Sequence, residues 1–190
     1  MAEDLRVRKT KRALRGALLE LLKEKPIGAI TTTELCRRAE VNRNTFYSHY
    51  SSPFHLLQTL EDEFIAVVLE IVEESMPNED YTTILEKVCV AMYENKELTS
   101  VIISENGNRD YTSRVVGIMH SRVMEHWGSG LTKLDRDDLE LLYTYTTFGT
   151  QKCVQDWMED GCRVAPKEFA RKLSDLTQVE FAHYLPKTEI

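Results

Sequence analysis

The sequence predicts an all-α fold of about nine helices, and three observations predict it. Apolar residues recur at three- and four-residue spacing in segment after segment, the period of one helix face. Helix-boundary residues punctuate those segments: Thr31 with Glu34 three places on, Asn42, and Ser52 before Pro53. The 190 residues hold only eight glycines and five prolines, too few for the turns of an all-β chain.

The first helix is expected over about 8–25, with Leu14, Ala17, Leu18, Leu21 and Leu22 on one face. Pro26 ends it, because proline disfavours helical geometry in the residue before it. The second covers about 32–39, with Leu35, Cys36 and Ala39 inward. Thr31 and Glu34 form a capping box in which each side chain takes the other's amide. After the link Glu40-Val41-Asn42, the third helix runs from Arg43 to Tyr50, capped by Asn42. Phe46 and Tyr50, four apart, pack inward and leave Arg43, Asn44, Thr45, Tyr47, Ser48 and His49 outward. The fourth helix spans about 53–75 and the fifth about 81–95, with a break at Pro77-Asn78-Glu79-Asp80. Val88-Cys89-Val90-Ala91-Met92 makes the fifth apolar on nearly every side, so it is expected to be central and buried. Further helices are expected at about 96–105, 110–127 (with Val115, Ile118, Met119, Val123 and Trp127), 137–160 and 166–184. Gly161 stands where a helix C-terminus favours glycine.

The charge is uneven. The chain carries 24 Lys+Arg and 31 Asp+Glu, a net of −7. Residues 1–60 hold eleven basic and six acidic residues, a local +5, which leaves −12 on the other 130. A small basic head on an acidic body suggests a polyanion-binding module joined to something else.

Several classes are excluded. No run of 18 apolar residues occurs, so no membrane span is expected. The charged start MAEDLRVRKTKR has no uninterrupted apolar stretch, and no signal peptide is read from it. Cys36, Cys89, Cys153 and Cys162 form no CxxC and have no histidine at metal-ligand spacing, so buried free thiols in a reducing cytosol are expected. The five histidines form no i,i+4 pair, and no GxSxG, P-loop or GxGxxG is present. Neither an enzyme nor a cofactor or metal is expected.

Two short helices joined by a tight link, the second rich in Arg, Asn, Thr, Tyr and His, make a helix-turn-helix. Arg can read guanine, Asn adenine and Thr the thymine methyl, while Tyr and Thr hydroxyls can hold phosphates. The stretch ITTTELCRRAEVNRNTFYSHYSSPFHLL resembles the DNA-binding domain of the tetracycline-repressor (TetR/AcrR) family, with Val41, Thr45-Phe46-Tyr47 and His49-Tyr50 at matching positions. That resemblance implies that Thr45, Tyr47 and His49 face double-stranded DNA. It also implies that Arg43 and Asn44 reach base edges and that Thr32 and Thr33 meet the backbone. WMEDGCRVAPKEFARKL resembles the end of a TetR-like subgroup that includes the activator of dihydroxyacetone-kinase operons. Two positions depart from the family: Glu40 stands where the turn usually has glycine, and Pro53 where a phosphate-binding lysine is usual.

The expected domains are a helix-turn-helix domain at 1–52 and a helical regulatory and dimerisation domain at 53–190. The expected function is a cytoplasmic, nucleoid-associated repressor that binds a palindromic operator as a homodimer and answers a small-molecule effector. The alternative is a body that docks another protein or a paralogous subunit. Phe64, Val68, Met92, Tyr93, Met119 and Phe148 are the expected lining of an effector cavity. In the family the last two helices of each subunit pair with their mates, so Thr146, Gly149, Thr150, Cys153, Phe169, Leu173 and Leu176 are the expected dimer face, beside Tyr145.

Overall fold

A computed structural model describes residues 5–76, 80–108, 110–130 and 134–181 of the chain. Nine α-helices and no strand occur among them. They are α1 Leu5–Glu24, α2 Thr32–Arg38, α3 Arg43–Tyr47, α4 Pro53–Ser75, α5 Tyr81–Glu94, α6 Lys96–Ile102, α7 Tyr111–Gly130, α8 Arg136–Glu159 and α9 Pro166–Phe181, with a 3-10 turn at Ile27–Ala29. The fold class is therefore the expected one. The expected break at Pro77-Asn78-Glu79, the side chain of Trp127 and the ninth helix beyond Phe181 lie outside the described residues.

The chain forms two compact units. The first takes the chain up to Ala66 and adds Lys96–Tyr111; the second is Val67–Asn95 with Thr112 onward. The division between these units falls inside α4. The physical reason is that α4 gives Leu56, Leu57, Leu60, Phe64 and Ile65 to buried positions before it leaves the first unit.

In the first unit, Leu14, Leu18, Leu21 and Leu22 of α1 are buried, each contributing about 1.5–3 kcal/mol. Leu98, Val101 and Ile102 bury the matching face of α6, which packs on α1. The turn after α6 is tied at three points. The Asn106 amide donates to the Leu22 carbonyl at 3.0 Å, filling an acceptor that the last turn of α1 cannot fill itself. The Asn108 amide donates to the fully buried Glu61 carboxylate of α4 at 3.0 Å. Gly107 folds so closely back on α6 that a Cβ there would stand 2.6 Å from the Val101 carbonyl oxygen and 2.7 Å from that of Ile102.

The capping box on α2 is only half formed. Thr31 Oγ1 accepts from the Glu34 amide at 3.2 Å, but the Glu34 carboxylate turns to Lys25, with Nζ 2.7 and 2.6 Å from its two oxygens. A charge-assisted bond outcompetes the neutral Thr31 amide. After α2 the chain reverses through a pair of bonds, Glu40 N–H to Arg37 carbonyl at 3.3 Å and Val41 N–H to Cys36 carbonyl at 3.0 Å. That is a Schellman turn, and it places Glu40 at φ 54°. The same turn ends α8, where Gly161 N–H meets Met158 carbonyl and Cys162 N–H meets Trp157 carbonyl, with Gly161 at φ 75°.

The second unit pairs α5 with α9. Asp80 caps α5 through the Thr83 amide at 2.8 Å. Thr82 and Ser174 share a hydroxyl–hydroxyl bond of 2.6 Å between the two helices. On α5 Cys89 and Ala91 are fully buried and most other residues half-buried, so the expectation of a helix buried all round is corrected: Tyr81, Lys87, Tyr93 and Glu94 stand exposed. Burial, with Cys162 nearby, pushes the Cys89 thiol up to about 12, which keeps it protonated and unreactive. α7 and α8 are joined by the Tyr143 hydroxyl donating to the Val116 carbonyl at 2.7 Å and by a His120–Glu140 contact of 2.7 Å. Trp157 closes α8 by stacking on Phe169 at 4.6 Å and donating from Nε1 to the Val164 carbonyl at 2.9 Å.

Two substitutions check this reading. Gly107→Ala forces a Cβ onto two carbonyl oxygens and is expected to cost about 1–3 kcal/mol in urea unfolding. Gly28→Ala, with nothing within 4 Å of the new atom, is the control with little change. Glu40→Gly relieves about 1 kcal/mol of left-handed strain. The freer unfolded glycine chain takes back roughly half, so the net gain in the same measurement is about 0.5 kcal/mol.

Candidate nucleic-acid interface

The recognition segment is a single short helix held by its neighbours. Asn42 Oδ1 accepts from the Asn44 amide at 2.8 Å and fixes the start of α3. Phe46 is fully buried and Tyr50 nearly so, as their four-residue spacing predicts. The helix stops at Tyr47 rather than at the expected Tyr50. Ser48 and His49 form a turn in which both the His49 and Tyr50 amides bond the Phe46 carbonyl at 2.9 Å. The next helix starts at once: Ser52 Oγ accepts from the His55 amide at 3.0 Å, with Pro53 as the first helical residue.

That anchoring leaves Arg43, Asn44, Thr45 and Tyr47 exposed, with Tyr47 at 50%. Thr33 is exposed at the start of α2, and Thr32 beside it is half-buried. His49 is half-buried, its ring tilted against Tyr50 at 6.2 Å. Three of these residues meet. The Arg43 guanidinium lies 5.9 Å from the centre of the Tyr47 ring. Arg43 and the Thr32 hydroxyl beside the Tyr47 phenol hold its pKa below the usual tyrosine value. The Tyr47 ring also stands edge-on to buried Phe46, with centres 5.5 Å apart.

The positive charge of the head is not all available to a polyanion. Lys25 is spent on Glu34, and Arg38 on Glu24 at 3.1 Å and Glu20 at 3.4 Å. Arg8, Lys9 and Arg12 on the first turns of α1, and Arg37 on α2, stand exposed. Arg37, outside the expected set, stands one turn from exposed Thr33 on α2.

The residues expected in the body divide differently. Phe64 is buried in the first unit, whereas Val68, Met92 and Met119 are half-buried in the second. Tyr93 is exposed, and Phe148 is 48% exposed. Phe148 shares the outward face of α8 with Leu141 (70% exposed) and Tyr145 (66%), at helical spacing of four and three residues. Leu141 lies outside the expected set. Thr146 is buried with Leu139, Tyr143 and Trp157 on the inward side of α8. Of the other expected dimer residues, Gly149, Cys153 and Leu176 are exposed and Thr150 is half-buried. Leu173 is buried, and Phe169 is taken up by its stack on Trp157. Among the described residues no group of three His, Cys, Asp or Glu could hold a metal, and no helix is long and apolar enough to cross a membrane.

Comparison with known proteins places this geometry. Residues 79–179, more than half of the chain, match the family described as "Transcriptional regulator C-terminal region". The uncharacterized HTH-type transcriptional regulator YxbF of Bacillus subtilis (strain 168) is 37% identical over 78 residues, which is 40% of this chain and 20% of that protein. The chain thus matches only about a fifth of that relative's length. Among solved structures, a TetR transcriptional regulator from Streptococcus agalactiae 2603V aligns over 93% of this chain and 98% of its own, with a TM-score of 0.66 and 20% identity. The fatty acid degradation regulator FadR from Bacillus halodurans aligns over 93% and 96%, with a TM-score of 0.64 and 11% identity. The dihydroxyacetone kinase operon activator DhaS aligns over 93% and 98%, with a TM-score of 0.60 and 13% identity. At such identities the three structures establish a shared fold. The family match and the fold together lead to one conclusion: the chain belongs to the TetR family of transcriptional regulators.

Proposed function

We propose that this chain is a repressor that binds a palindromic operator as a homodimer and lets go when a small molecule enters its second unit. The observation that carries the DNA-binding part is the exposed face of α3, where Arg43, Asn44, Thr45 and Tyr47 project from a helix pinned by Asn42 and Phe46. These side chains offer a bidentate donor for guanine, an amide for adenine, a methyl for thymine and a phenol for phosphate. His49 lies against Tyr50 at the edge of that face, and Thr32 and Thr33 border it from α2. The basic start of α1 supplies the phosphate neutralisation that Pro53 does not.

Support for a dimer comes from α8. Leu141, Tyr145 and Phe148 form an outward apolar stripe, with Gly149 and Cys153 on the same exposed side. A contiguous exposed apolar stripe of this kind is the mark of a partner surface. Gly149 lets a second helix approach closely, which offsets the roughly 1 kcal/mol that glycine costs inside a helix. Leu176 on α9 adds a further exposed apolar residue. The effector contacts would be Val68, Met92 and Met119, whose apolar side chains are half-buried in the second unit. Methionine adapts its shape to a ligand at little cost.

Two measurements test this reading. Affinity for duplex DNA is expected to fall about a thousand-fold between 50 and 200 mM salt, as six or more phosphate contacts demand. A flat response in the same titration would remove the exposed basic start of α1, Arg8, Lys9, Lys11 and Arg12, from the interface. Tyr145→Glu is expected to sediment as a monomer and to lose the palindrome while keeping its helix content, because a buried carboxylate at the seam leaves a charge unpaired. A monomeric variant that still binds the full palindrome as tightly would reject the paired model. Native mass spectrometry of the protein from its own cell would reveal a paralogous subunit on the stripe, in place of a second copy.

A further inference from the structure

We propose that Tyr47 is a positioning residue for base readout: its ring holds the Arg43 guanidinium in one direction, so the selectivity delivered by Arg43 depends on that ring. This rests on the DNA-binding reading above and goes beyond it, since a tyrosine there would otherwise serve as a phosphate ligand alone. Residues 43 and 47 are one turn apart on α3 and so share a face. The guanidinium carbon is 5.9 Å from the ring centre, within the range of cation–π attraction. The guanidinium carries five N–H donors, so beyond the one it turns to the Tyr47 phenol others remain for the O6 and N7 acceptors of a guanine.

The support is itself fixed. Tyr47 stands edge-on to Phe46 at 5.5 Å, and Phe46 is fully buried in the first unit. On the other side the Thr32 hydroxyl, at the start of α2, neighbours the phenol and with Arg43 draws its pKa down. A chain of contacts therefore runs from the core, through Phe46 and the Tyr47 ring, to a long exposed side chain. Without it, Arg43 would lose conformational freedom only on meeting the base. Fewer freedoms lost on binding means more discrimination retained, which is the general effect of preorganisation. Arg43 and Tyr47 are both exposed, and fully buried Phe46 is retained in every variant below.

The test uses the full-length protein and a pool of random-sequence DNA duplexes, with selection and sequencing to give base preference position by position. Arg43→Ala is expected to flatten one position of each half-site, from roughly ten-fold discrimination or more to about two-fold. Tyr47→Leu is expected to flatten that same position while the others keep their preference. Tyr47→Phe keeps the ring and is expected to keep the preference, with any weakening spread evenly over all duplexes. Circular dichroism should report unchanged helix content for all three. If Tyr47→Leu weakens every duplex equally and stays as selective as wild type, Tyr47 is a phosphate ligand only and the positioning role is overturned. Loss of selectivity in Tyr47→Phe as well would overturn the part assigned to the ring. Wild-type protein that retains no duplex from the pool would instead sink the DNA-binding reading, and this proposal with it.

Discussion

Everything functional in the head depends on one constraint: a helix of five residues cannot hold itself together. A single turn fixes several backbone angles for one or two hydrogen bonds, so α3 would melt in isolation. Its shape is imposed from outside. Asn42 occupies the amide of Asn44, the Schellman turn through Glu40 sets the angle of entry, and Phe46 is driven into the core. Ser52 and Pro53 then start α4 without delay. With those anchors in place, every other side chain of α3 is released for contact. The strain at Glu40 is part of that arrangement, for the turn needs a left-handed residue whatever the side chain.

The turn following α6 acts as a second anchor in the same unit. Asn106 fills a carbonyl of α1, Asn108 meets a buried carboxylate of α4, and Gly107 lets the backbone pass between them. Two neighbouring amide side chains thus tie three helices that are distant in sequence. A buried glutamate is costly unless its oxygens are held, and the bond from Asn108 supplies part of that compensation. The second unit uses different devices. Trp157 and Phe169 stack across the tight turn that joins α8 to α9, and small hydroxyls seal α5 on α9.

Much of this was legible in the residues because it is local. Thr31, Asn42 and Ser52 announce helix starts through bonds reaching two or three residues, and the period of Phe46 and Tyr50 announces an inward face. The exposed set on α3 follows from that period by subtraction. What was hidden depends on partners far along the chain. Nothing near Glu34 says that Lys25 will take its carboxylate, and nothing near Asn106 points to Leu22, 84 positions earlier. On α8, Tyr145 and Thr146 are neighbours a hundred degrees apart, and only the packed structure decides which of them faces water. A helix as apolar as α5 reads as buried all round, yet packing on α9 leaves most of its side chains only half covered. Periodicity gives the width of an apolar stripe but not the number of neighbours that will cover it.

The interleaving of the two units has an evolutionary and practical side. The chain passes from one unit to the other three times, inside α4, at Asn95–Lys96 and at Tyr111–Thr112. A gene fusion made at a single crossover within α4 would join a new second unit to a first unit stripped of α6 and of the Asn106–Asn108 clasp. Chimeras of this regulator therefore need their junctions chosen in threes, or a donor whose own α6 carries the same clasp.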